Sequence, residues 1–183
     1  MARRPQKNYT SEDFDSLEGR ASKSEQKRAV QRMAALGEQL SELSIKQIQK
    51  LPVDERLIDA LLDVKEITSF EARRRQFLRV GKLLRNEDES IILSYLTPQQ
   101  GIKKQAQLSR WVDRILEQGD AAIHEFSKGY NATEKHTLRQ HVLRYHRAKN
   151  LEATPDELNE ERQKVLNYIQ QVALLSDQGK SKG

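Results

Sequence analysis

Apolar residues along this chain return at intervals of three and four, with polar and charged residues between them, which is the period of a helix burying one face. The first helix opens at Ser22, where Ser22 and Glu25 have the spacing of a capping box, and Val30, Met33, Ala34, Gly37 and Leu40 make its apolar stripe. Ser44 and Gln47 offer a second box for a short helix through Lys50 that Pro52 ends. From Asp54, Leu57, Leu61 and Val64 give another helix. Its phase does not carry into Phe70, Phe77, Val80 and Leu84, so a break is expected near Thr68 and Ser69, with one bent helix over 54–86 as the rival.

Asn86 to Glu89 is a polar break, Ser90 to Leu96 a short helix, and Thr97-Pro98 a start for the next. That helix carries Leu108, Trp111, Val112 and Ile115 and stops at Gly119, after which Asp120 caps a short helix holding Ile123 and Phe126. A helix over about Thr133 to Lys149 turns Leu138, Val142 and Tyr145 inward. The last helix has Thr154 as cap, Pro155 at its first position and Glu157 closing the box, followed by Leu158, Val165, Ile169 and Val172. The expectation is an all-α, multihelical protein of two small helical subdomains, 22–95 and 97–178, linked by a long or kinked basic helix. A disordered arm over 1–21 would precede them and a frayed tail over 179–183 would follow.

Composition agrees with this reading. The chain of 183 residues is 36% hydrophobic and 32% charged with 5% aromatics, so its core is thin, and amphipathic helices are the economical way to bury it. A β-rich fold would draw on more Val, Ile, Thr and turn residues. The absence of cysteine excludes a disulfide framework, a thiolate metal site and a cysteine nucleophile. No apolar run reaches the roughly 18 residues of a membrane span, and the start, MARRPQKNYTSEDF, has cations with no apolar segment behind them. A soluble cytoplasmic protein is expected.

Charge changes the picture more. The formal net charge is +5, but residues 70–86 alone carry +5, with six cations against the single acid Glu71, and residues 135–150 also carry +5. In the first segment, ARRRQFLRVGKLLR, Phe70, Phe77, Val80, Gly81 and Leu84 project to one side at about 100° per residue; Arg75, Arg79 and Lys82 lie roughly opposite, and Arg74 and Arg85 share a flank. In the second, His136, Gln140, Arg144 and Arg147 project outward, with Lys135, Arg139 and His146 on one flank. Any solvated surface helix has a charged stripe, but such helices usually mix signs in i,i+4 pairs. Two helices of one sign suggest a polyanionic partner.

No catalytic constellation accompanies these segments. His136, His141 and His146 are spaced by five, which spirals them round a helix and does not stack them as i,i+4 metal ligands. Asp120 and His124 could meet at i,i+4, although a capping aspartate is the simpler account. Gly81-Lys82 lacks the upstream glycine loop of a phosphate-binding loop, and no G-x-S-x-G elbow occurs. Trp111, Phe70, Phe77, Phe126 and Tyr145 all fall on apolar stripes, which favours contact with phosphates and shape over base stacking, as for largely double-helical RNA.

With these residues in hand, the chain resembles the YjgA family of bacterial proteins, also called DarP, the dual-action ribosomal maturation proteins. The matching pieces are SKSEQKR at Ser22–Arg28, ARRRQFLRVGKLLR at Ala72–Arg85, DRILEQGDAAI at Asp113–Ile123 and LRQHVLRYHRAK at Leu138–Lys149, in the expected order. The most specific runs from Arg73 to Arg85. The short, mixed arm before Ser22 and the last helix, ERQKVLNYIQQVALL, depart from the family pattern.

The resemblance implies a non-enzymatic assembly factor for the large ribosomal subunit. Such a factor would bind 23S rRNA in late precursors of the 50S subunit near the subunit interface and help the peptidyl transferase centre mature, with other assembly factors as further partners. It implies no cofactor and carries over no catalytic residue. The candidate RNA contacts are Arg73, Arg74, Arg75, Arg79, Lys82 and Arg85 on the first basic helix and Lys135, Arg139, Arg144 and Arg147 on the second. The alternative is a helical docking module that recruits an acidic protein partner.

Overall fold

The computed structural model describes residues 9–181, which form ten α-helices and one short 3-10 turn, with no strand among them. In order they are α1 (Ser11–Asp15), α2 (Lys23–Ser41), α3 (Ile45–Gln49), α4 (Glu55–Glu66), α5 (Phe70–Leu84), α6 (Glu89–Leu96), the 3-10 turn (Thr97–Gln100), α7 (Ile102–Gln118), α8 (Asp120–Gly129), α9 (Lys135–Asn150) and α10 (Pro155–Ser181). The all-α expectation holds. Two compact units are present: Ala21–Leu96 is one, and the described residues of 1–20 and 97–183 make up the other.

In the Ala21–Leu96 unit the capping boxes form as their spacing demands. Ser22 Oγ accepts from Glu25 N at 3.2 Å while the Glu25 carboxylate accepts from Ser22 N at 2.7 Å, and Ser44 and Gln47 repeat the exchange at α3. The break at Thr68 and Ser69 is real: α4 ends at Glu66, and Ser69 caps α5 by accepting from Ala72 N. The Arg73 guanidinium donates to the carbonyls of Val64 and Ile67, both at 3.3 Å, which ties α5 to the end of α4. Gln76 Nε2 donates to Ala60 O at 2.9 Å, a second tie between α4 and α5.

The tightest packing is α2 against α5. A Cβ placed on Gly37 would meet Val80 Cγ1 at 2.6 Å, and one on Gly81 would meet Ala34 N at 3.0 Å. The absence of side chains at 37 and 81 is what lets the two backbones approach. Met33, Leu36, Leu40, Leu57, Leu61, Val64, Val80 and Leu84 are buried in this unit. The basic helix α5 lies wholly inside it, so it is not the link expected between the subdomains; the chain leaves the unit at Leu96–Thr97.

The other unit packs α7 to α10 around Leu108, Val112, Ile115, Phe126, Leu138, Val142, Val165 and Ile169. Phe126 stacks on Tyr130 at 4.5 Å between centroids and meets Trp111 edge-on at 5.4 Å. The helix expected to start at Thr97-Pro98 begins instead at Ile102, because Gly101 takes φ 81°, a left-handed conformation that separates the 3-10 turn from α7. Asp120 is the first residue of α8 and not its cap; Gly119, at φ 69°, precedes it.

Part of the stretch expected as a disordered arm is ordered: residues 11–15 are helical and pack on α9, while residues 1–8 lie outside the described residues. At the other end α10 reaches Ser181, and residues 182–183 of the expected frayed tail lie outside the described residues. Ser176 is buried, and its Oγ accepts from Ala132 N at 3.1 Å.

Candidate nucleic-acid interface

The site candidates fall on one helix in each unit. On α5, Arg74, Arg75, Arg79 and Lys82 are exposed, as is Arg85 at its C-cap. Their only ion pair among the described residues is Arg75 to Glu71 at 4.0 Å, both side chains open to water. Such a pair contributes little and yields readily to another anion. The opposite face holds Val80, Gly81 and Leu84 in the core, so the helix is anchored along one side and presents a row of cations along the other. Arg73 does not join that row. It is half-buried, engaged with the end of α4, and lies 5.7 Å over the Phe77 ring.

Phe70 is a departure. Placed on the apolar stripe by periodicity, it is 80% exposed as the first residue of α5. Arg73 already reaches the last carbonyls of α4, so Phe70 lies beyond the stretch of α5 that packs on its neighbour. Trp111 and Phe77 are half-buried, and Phe126 is fully buried.

On α9, Arg144 is exposed with no ion pair among the described residues. The other candidates have partners. Lys135 Nζ stands 3.0 Å from His124 Nδ1. Arg139 is bound twice, to Asp120 at 3.1 Å and to Asp13 at 2.9 Å, and Arg147 pairs with Glu18 at 3.3 Å. Burial works against the charge on Arg139, and the carboxylates of Asp120 and Asp13 more than offset it, so its pKa is raised. The Asp13 carboxyl is held below its usual range by the Thr10 backbone N–H, with Arg139 adding to the effect. Beside it, burial pushes the Tyr9 hydroxyl up to about 12, with the nearby Asp120 charge acting in the same direction.

His146, assigned by periodicity to an outer flank, is buried, and its Nε2–H donates to Leu116 O at 2.8 Å. Burial lowers its pKa, Lys149 adds to that, and the Leu116 contact opposes it. No group of three histidines or acids that could hold a metal ion is present among the described residues, and no described helix is long and apolar enough to cross a membrane.

Sequence reasoning passed over two features. Lys23, Lys27 and Arg28 are exposed at the start of α2 and add cations to the Ala21–Leu96 unit. It also missed the acids that meet α9. Residues 1–21 balance four acids against four bases, but all four acids, Glu12, Asp13, Asp15 and Glu18, fall between the bases at positions 7 and 20. Their clustering was the available signal, and the balanced total concealed it.

Comparison with known proteins adds a relationship to this geometry. The family model described as "Dual-action ribosomal maturation protein DarP" matches residues 19–170. A protein of that name from Nitrosomonas eutropha is 39% identical over 138 residues, covering 72% of this chain and 78% of the relative. One from Xanthomonas oryzae pv. oryzae is 35% identical over 149 residues, covering 76% and 77%, and one from Vibrio parahaemolyticus is 37% identical over 124 residues, covering 65% and 70%. The matched region contains α2 to α9 whole, including both basic helices, and with identities of this size over most of its length the chain belongs to the DarP family.

Proposed function

We propose that this protein is a non-enzymatic ribosome assembly factor of the cytoplasm that binds 23S rRNA in late precursors of the 50S subunit, near the subunit interface, and promotes maturation of the peptidyl transferase centre. The observation that carries the RNA-binding part is the outer face of α5, where five cations stand exposed with one weak ion pair among them. A fixed cationic row on a packed helix suits a phosphate backbone, which is recognised by charge and shape without base readout. The family's name supplies the ribosomal context. Two cationic helices in two units give the protein the means to hold separate rRNA elements and disfavour wrong arrangements between them.

A second reading, recruitment of an acidic protein, is favoured by one observation: Arg139 and Arg147 already hold carboxylates. Sedimentation of cell extract at low magnesium, repeated at raised salt and after nuclease treatment, separates the two. The RNA reading expects the tagged protein in the large-subunit or precursor peak, released by salt and by nuclease. A complex that survives nuclease supports the protein partner, and a protein that stays at the top of every gradient contradicts both.

A further inference from the structure

The described N-terminal segment lies along the cationic face of α9 and makes contacts there that a phosphate strand would make. α1 is closed by a box in which Asp13 Oδ2 accepts from Thr10 N at 2.9 Å. The other oxygen of the same carboxylate, Oδ1, accepts from Arg139 Nη2 at 2.9 Å. Further along, Ser16 Oγ accepts from Gln140 Nε2 and Glu18 Oε1 accepts from Arg147 Nη1, both at 3.3 Å. The order of contacts, 13 to 139, 16 to 140 and 18 to 147, shows the segment running in the same direction as α9. It spans about 12 Å at 1.5 Å per residue between Arg139 and Arg147. Tyr9 anchors its start, with its ring 5.9 Å from the Arg139 guanidinium carbon and 4.9 Å from the His146 ring.

We propose that residues 10–18 act as an internal polyanion mimic, occupying the phosphate-binding face of α9 so that RNA must displace them to reach Arg139 and Arg147. The proposal rests on the RNA-binding reading and extends it: the α5 face is open from the start, whereas the α9 face is latent. The contacts are of a kind that can be exchanged. Glu18 is largely open to water, and its pair with Arg147 is screened and weak. The Asp13 pair is more enclosed but lies beside Asp120, so Arg139 keeps one carboxylate when the segment leaves. α1 is only five residues long, and helices that short draw their stability from what they dock on. An incoming duplex offers many phosphates to the same two arginines and to Arg144.

The test compares two full-length double variants with the same change in charge. D13N/E18Q removes the acids that touch α9. E12Q/D15N removes two exposed acids of the same segment that have no ion pair among the described residues. Each is titrated with a 20-base-pair RNA hairpin of arbitrary sequence at fixed salt, and amide exchange of residues 10–18 is followed with and without the hairpin. D13N/E18Q is expected to bind about five- to tenfold tighter than the unaltered protein, and E12Q/D15N at most about twofold tighter. Amides of 10–18 should exchange faster once RNA is bound.

Equal gains in the two variants would reduce the effect to net charge and overturn the proposal. So would amides that become better protected in the complex. If the unaltered protein binds and D13N/E18Q binds no better, the competition fails and the RNA reading stands. If neither binds the hairpin, the RNA reading fails and the competition with it.

Discussion

A Cβ on Gly81 would stand 3.0 Å from the backbone nitrogen of Ala34, and that nitrogen belongs to a helix that cannot give way as a side chain could. The α2–α5 crossing is therefore set by backbone against backbone at residue 81. At residue 37 the corresponding obstacle is a side chain, Val80 Cγ1 at 2.6 Å.

The two glycines should consequently respond differently to alanine. Gly81→Ala is expected to destabilise the Ala21–Leu96 unit by about 1–3 kcal/mol, after the propensity gain of up to ~1 kcal/mol is offset. Gly37→Ala should cost a similar amount alone, and Val80→Ala added to it should recover part of the loss by making room. Thermal or denaturant melts of the four variants, including Gly81→Ala with Val80→Ala, check this. Equal rescue of both glycine variants by Val80→Ala would contradict the distinction.

Arg73 and its neighbour Arg74 should separate stability from binding. Arg73 serves the last carbonyls of α4, so Arg73→Ala is expected to lower stability by about 1 kcal/mol with little change in the salt dependence of RNA binding. Arg74 is exposed, so Arg74→Ala should leave stability nearly unchanged and reduce the salt slope by roughly 1. Melting curves and salt titrations on the two variants would show the reverse assignment if Arg73 were the contact.

His146 gives a pH dependence whose sign follows from its burial. Its pKa in the folded protein lies below the ordinary value, while the unfolded chain titrates near 6.5. Between the two, the unfolded state holds more protons, so the contribution to stability is complete above about pH 6.5 and is lost as pH falls below it. Melts of the unaltered protein at pH 8 and 5.5 should differ by more than those of His146→Gln. A larger difference in the variant would contradict the neutral, buried state of this histidine.

Much of the fold was legible because its signals are local. Ser22, Ser44 and Thr154 cap helices through groups three residues away, and periodicity carried the buried faces of α4, α7 and α10. Phe70 was misplaced because a helical projection says which side a residue faces and nothing about where the neighbouring helix ends. His146 was misplaced for a related reason: α9 is covered on this side by Leu116 of α7 and Tyr9 of the N-terminal segment, contacts across 30 residues and more that leave no trace in local spacing. The candidate site was half legible. The open cations of α5 follow from a one-signed amphipathic helix, but Asp13 and Glu18, which meet Arg139 and Arg147, lie more than 100 positions away in sequence.

The most direct test of the account is the salt dependence of binding to purified large-subunit precursors by the unaltered protein and by R75E/R79E/K82E. If about six phosphates are neutralised, the logarithm of affinity should fall with the logarithm of salt at a slope of roughly −4 to −5, and the triple reversal should weaken binding and flatten that slope. A shallow slope in the unaltered protein, with the reversal leaving binding unchanged, would contradict the assignment of the α5 face to RNA.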